Sequence, residues 1–185
     1  RFNVRFEYQI DSMNSILYTP SLTVQHSENY SRNTSTTTSQ LQTKEYLSVN
    51  GATENSNERD GLNWNNNLLF RHKFRKIGRT FTLGWNNTFG RSESQGYTRS
   101  NNEFYQEDGT PYRVILQNQQ NQQDTRTNNN VLSTSYTEPF GLNKLLELNY
   151  AYTNNVSRSN RLTNDYDAVT GKYETPNLLL TNNFF

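Results

Sequence analysis

The chain opens with RFNVRFEYQID, in which apolar and polar residues alternate without a break. Phe2, Val4, Phe6, Tyr8 and Ile10 fall on one side of an extended strand. Arg1, Asn3, Arg5, Glu7 and Gln9 fall on the other. A period of two with aromatic and β-branched residues predicts a strand that is apolar on one face only. The pattern recurs along the chain. SILYTPSLTVQHS sets Ile16, Tyr18, Pro20, Leu22 and Val24 against Leu17, Thr19, Ser21, Thr23 and Gln25. LNWNNNLLFRHKF sets Leu62, Trp64, Leu68, Phe70 and Phe74 against Asn63, Asn65, Asn67, Arg71 and Lys73, with Asn66 and His72 as exceptions on the apolar side. TFTLGWNNTF sets Phe81, Leu83, Trp85 and Phe89 against Thr80, Thr82, Gly84, Asn86 and Thr88. LSTSYT is weaker, with Leu132, Thr134 and Tyr136 on one side. KLLELNYAYT sets Leu146, Leu148, Tyr150 and Tyr152 against Leu145, Glu147, Asn149, Ala151 and Thr153.

These segments come in pairs around short turns at DSMNS (11–15), RKIGR (75–79) and EPFGLNK (138–144). The turn centres, near residues 13, 77 and 141, are about 64 residues apart. Long polar arms lie between them, over 28–58, 92–128 and 155–180. Two arms carry a turn signal at their far end: Asp108-Gly109 in QEDGTP and Thr170-Gly171 in DAVTGKY. For the first arm the candidate tips are Asn50-Gly51 and the polar run SRNTSTTTSQ. The expected fold is therefore all-β: an antiparallel up-and-down meander of about seven strands, with short turns on one side and long arms on the other.

Composition decides what covers the apolar side. Hydrophobic residues make up 31% of the 185-residue chain, and aromatics 13%. The first figure is low for a soluble core and the second is high for a disordered chain. The apolar stripe is confined to about ten residues beside each short turn. Ten residues at ~3.4 Å each, tilted by ~40°, cover roughly 26 Å, which matches the apolar band of an outer-membrane barrel. Phe74 and Phe81 mark one border of the band and Trp64 and Phe89 the other, as two interfacial girdles do. Hydrocarbon then wets the apolar face and a watery lumen the polar one, in a closed barrel without edges. The expected lipid-facing set is the apolar list above, from Phe2 to Tyr152. The expected lumen-facing set includes Arg5, Glu7, Asn65, Asn67, Arg71, Lys73, Thr82, Asn86, Glu147 and Asn149. The short turns are expected to be periplasmic and the arms extracellular. Because the chain starts in mid-strand, it reads as a portion of a larger barrel.

Chemistry elsewhere is sparse. Cysteine is absent and the net charge is +1, so neither thiolate sites nor a general attraction to nucleic acid is indicated. No Gly-x-Ser-x-Gly or phosphate-cradling loop occurs, and no enzyme and no cofactor is expected. The basic cluster Arg71, His72, Lys73, Arg75, Lys76 and Arg79 reads as a polar hairpin tip at the headgroup level. His26 and His72 are the only histidines, and no carboxylates are expected to converge on them as a metal site would need. Asp165 and Asp167 read as turn caps, since the bidentate glutamate of a calcium loop is missing.

The succession NVRFEYQIDSMNSILYTPSLTVQ, NNNLLFRHKFRKIGRTFTLGWNNTFG, SYTEPFGLNKLLELNYAYTNN and YDAVTGKY resembles the outer-membrane β-barrel proteins of Bacteroidetes, which are similar to TonB-dependent receptors. The basic LLFRHKFRKIGRT hairpin and the SYTEPFG turn carry most of that resemblance. It implies a barrel of roughly twenty strands, of which this chain supplies about seven. It also implies residence in the bacterial outer membrane and uptake of a large nutrient: a glycan, a peptide or a metal chelate. The implied partners are outer-membrane lipid, an energy-coupling periplasmic protein and surface lipoproteins. The alternatives are a non-transporting barrel that anchors an outer-membrane complex, and a soluble adhesin of long hairpins.

Overall fold

A computed structural model describes residues 1–42, 44–141 and 144–184. Ten strand segments account for most of them: β1 (Phe2–Asn3), β2 (Phe6–Gln9), β3 (Asn14–Tyr18), β4 (Ser21–Leu41), β5 (Lys44–Lys73), β6 (Thr80–Tyr105), β7 (Pro111–Pro139), β8 (Leu145–Asp167), β9 (Lys172–Pro176) and β10 (Asn182–Phe184). No helix occurs among the described residues. All pairings are antiparallel, and the sheet runs β1-β4-β5-β6-β7-β8-β10, with β2 continuing the line of β1 and β3 that of β4. The sheet is open: among the described residues nothing joins β1 or β2 to β10.

Local chemistry sets the breaks and reversals. Pro20 accepts a hydrogen bond from the Val4 N–H (3.1 Å) but has no N–H to return, so the outer ladder lapses between β1 and β2. The first short turn is closed by Asp11, whose Oδ1 accepts from the N–H groups of Met13 and Asn14 (both 2.7 Å). At the far end of β6, Gly109 takes φ +84° and Asp108 Oδ1 accepts from the Thr110 N–H (2.9 Å). The β8–β9 reversal uses Gly171 at φ +70°, with Asp167 Oδ1 accepting from the Val169 N–H (2.8 Å). These are the left-handed positions a glycine holds without strain.

The first arm departs from both candidate tips. The chain reverses between Leu41 and Lys44, which pair directly, and Gln42 supplies the positive φ (55°). The run SRNTSTTTSQ lies within β4, where the ladder to β5 shifts register between Thr37 and Thr38, and Asn50-Gly51 lies inside β5. Gly51 is extended and makes no turn. A Cβ there would sit 2.6 Å from Asn102 Oδ1 and 2.7 Å from Ser35 Oγ. At the end of the third arm, a second turn over Asn177–Leu180 returns the chain to β8 as β10. Leu142 and Asn143 of the third short turn and the terminal Phe185 lie outside the described residues.

Candidate membrane interface

Directly paired residues on antiparallel strands project from the same face, so the register sorts side chains into rows. One row runs Phe6, Tyr18, Leu68, Trp85, Leu132, Tyr152. The next toward the short turns runs Tyr8, Ile16, Phe70, Leu83, Thr134, Tyr150, and the one after it Asn14, His72, Phe81, Tyr136, Leu148. Toward the arms, a row runs Phe2, Leu22, Trp64, Phe89, Asn128, Val156. Val24, paired with Leu62, and Leu146, paired with Glu138, belong to the same face. Phe74 extends it past the end of β5, where its ring packs edge-on against His72 (centroids 4.4 Å apart) and Tyr136 (6.2 Å).

The opposite face collects the polar set. Arg71 pairs with Thr82, Thr82 with Ser135 and Ser135 with Asn149; Asn67 pairs with Asn86, and Asn65 with Thr88. Lys73 reaches Glu147 through Thr80 and Thr137. Glu7 binds Arg5 (2.9 Å) and lies 3.9 Å from Arg71. Leu17 and Leu69 are directly paired there, and Leu17 is the sole apolar side chain buried among the described residues (9% exposed).

Among the described residues no second layer covers the apolar rows. Leu148 is 59% exposed, Tyr150 67% and Trp64 48%. Apolar residues line up in rows across six strands rather than in scattered spots, and such a surface marks an interface. The stripe is not the whole apolar inventory. Tyr112, Val114 and Leu116 form a second exposed group near the tip of the second arm, which the sequence pattern did not single out.

Within the band one row is polar. Asn66, Asn87 and Asn130 are aligned by the register, with Asn154 beyond them. The Tyr18 hydroxyl donates to Asn66 Oδ1 (2.7 Å), the Asn66 amide to Asn87 Oδ1 (3.3 Å), and the Asn87 amide to Asn128 and Asn130 (2.8 and 2.9 Å). Asn66, Asn87 and Asn130 thus spend amide capacity on one another and on Asn128 in the adjacent row, which offsets the cost of polar groups among apolar neighbours.

Both borders of the band are charged. Beside the short turns, Glu138 accepts from Arg79 (2.6 and 2.8 Å), Lys76 (2.7 Å) and the Tyr136 hydroxyl (2.6 Å). These donors hold its carboxyl far below the usual carboxylate range, Arg79 first and Lys76 next. Two cations of the basic cluster are thereby committed to tying neighbouring hairpins together. At the arm border, three arginines succeed one another across the sheet: Arg91 pairs with Arg126, and Arg126 with Arg158. One row further on stand His26, Asp60, Glu93, Asp124 and Asn160.

The two histidines occupy opposite borders and do not combine. His72 Nδ1 lies 2.6 Å from Asn14 Oδ1. Around His26, contrary to expectation, carboxylates do converge: Asp60 at 2.8 Å from Nδ1, Glu28 at 3.2 Å and Glu58 at 4.0 Å from Nε2. Register across the β4–β5 pair brings them together, and that pairing is invisible in the local sequence. Hydrogen bonds to Asp60 and then Glu28 raise the imidazole pKa above 6.5, so the cluster favours a proton on the ring. Asp165 accepts from Gln119 (2.7 Å) and Asn177 (3.0 Å), while Asp167 caps its own turn, so the two make no shared site.

No family model matches the chain, and no curated protein matches it.

Proposed function

We propose that this sheet is part of the wall of an outer-membrane β-barrel, and that the barrel is a receptor or transporter of the TonB-dependent kind that takes up a large nutrient. The observation that carries the reading is the one-sided apolar band. It follows the hydrogen-bonded register across six strands, sits beside the short turns, and has no covering layer among the described residues. In water such a surface is a liability; against lipid it is the required finish.

The open sheet fits the same reading, since a closed barrel needs further strands to pair β1, β2 and β10. Tight turns belong on the periplasmic side and arms outside. At ~3.4 Å per residue the 29 residues of β7 span about 100 Å, far more than a bilayer core, so the arms stand well clear of the surface. On the polar face at arm level, a depression of about 290 Å³ is lined in part by Asn57, Asn121, Gln123 and Arg161. Amide groups and a guanidinium suit a polar nutrient that passes through water.

Two experiments on cells expressing the full-length protein test the proposal. Cysteines placed near Asp108 should react with an impermeant maleimide on intact cells, and cysteines near Gly78 should not; the reverse pattern overturns the topology. Uptake of labelled oligosaccharides, peptides and metal chelates should include at least one that depends on this protein and collapses with the proton-motive force. A correctly oriented barrel that supports none of them would instead be a scaffold of a surface complex.

A further inference from the structure

We propose that Arg91, Arg126 and Arg158 form a site for the phosphate of an outer-leaflet lipid, an inference that rests on the barrel reading. The three are direct neighbours on β6, β7 and β8, and all are exposed on the face that carries the apolar band. Like charges placed directly opposite one another destabilise a sheet, so a row of three calls for an anion. The acids at hand supply only part of it. Glu93 binds Arg91 and Asp124 binds Arg126 (2.9 Å), and both reach in from the arm side. Arg158 has no ion pair among the described residues.

Position names the ligand. Two residues nearer the short turns along the same strands lie Phe89, Asn128 and Val156, with Trp64 beside Phe89. A phosphate held on the guanidinium forks leaves its acyl chains lying over that aromatic and aliphatic edge. Free phosphate gains nothing from the edge. A nucleic acid offers the same phosphate but nothing to cover the Phe89–Val156 edge. Planar forks suit phosphate oxygens better than point charges do. The exposed ion pairs with Glu93 and Asp124 are weak enough to be exchanged for the headgroup.

The test uses the full-length protein in phosphatidylcholine nanodiscs, titrated with a phosphorylated glucosamine lipid (lipid A) and counted by native mass spectrometry. Replacing all three arginines by glutamine should weaken lipid A retention by about tenfold or more, and replacing all three by lysine should weaken it less. Dephosphorylated lipid A should bind wild type and variants equally. Excess inorganic phosphate should displace little of the bound lipid. Equal retention of lipid A by the glutamine variant overturns the site, as does full displacement by inorganic phosphate. Quenching of Trp64 and Trp85 by brominated lipid, read on the same samples, separates the two claims. If quenching persists while retention ignores the arginines, only this site falls. If quenching is absent, the barrel reading falls with it.

Discussion

The two ends of β7 share one ladder and one face but carry different side chains. Beside the short turn, Leu132, Thr134 and Tyr136 alternate outward in the apolar band. Further along, Asp124 and Gln122 occupy the equivalent outward positions, and Arg126 stands between the two regions. The hydrogen-bond register continues from one region to the other without a bulge. Backbone pairing therefore says nothing about the surrounding medium. Side-chain polarity alone distinguishes the two regions, and it changes within about two residue pairs on every long strand.

The largest expected effect breaks the comparison at its centre. Leu132→Arg, in the middle row of the band, should cost about 2–4 kcal/mol in a lipid-based unfolding assay, the range for arginine near a bilayer midplane. Gln122→Arg, on the same strand and face at arm level, should stay within about 0.5 kcal/mol, as surface changes do. Leu132 is already 46% exposed, so in a water-bathed sheet the two substitutions would be near equal.

A second, smaller contrast lies inside the band. Asn87→Leu removes the partner of Asn66, Asn128 and Asn130 and leaves their amides short of bonds, at about 1–2 kcal/mol in lipid. Asn86→Leu, one residue away on the polar face, should cost less. Equal losses would show that the ladder is not held in an apolar medium.

Smaller again is the effect of acid on the border beside the short turns. Because Glu138 has a lowered pKa in the folded state, its contribution is complete above the unfolded carboxylate value of about 4.3 and is lost as pH falls through the folded value. The midpoint difference between wild type and Glu138→Gln should thus be constant from neutral pH to about 4.5 and narrow below it. A difference that grows on acidification would refute the Arg79–Glu138–Lys76 bridge.

The least effect concerns His26 on the arm side. Its pKa is raised, so its stabilisation is full below about pH 6.5 and fades as pH rises through the folded value. An NMR titration should place His26 above 6.5 in wild type and closer to it in Asp60→Asn. An unchanged midpoint would exclude Asp60 as the principal cause.

Much of this was legible in the sequence because β alternation is local. Phe2 to Tyr8 and Leu62 to Phe74 declare their faces within ten residues or so, and Asp108-Gly109 declares its turn. The rest needed pairing. Asn66 looks like a lone exception until the register sets it beside Asn87 and Asn130. Arg91, Arg126 and Arg158 stand more than thirty residues apart and meet only across strands. The first tip gave no signal because Leu41 to Lys44 contains neither glycine nor asparagine, while Asn50-Gly51, which does look like a turn, is extended within β5. The carboxylates about His26 come from both β4 and β5, so no single segment announces them.

Depth-dependent fluorescence quenching tests the membrane reading most directly, with Trp85 or Trp64 as the sole tryptophan of the full-length protein in bilayers of brominated phospholipid. Trp85 lies in the middle row of the band and Trp64 two rows toward the arms. Bromines deep in the acyl chains should quench Trp85 most, and bromines near the headgroups should quench Trp64 most. Failure of either bromine position to quench either tryptophan, with both open to aqueous iodide, would contradict it.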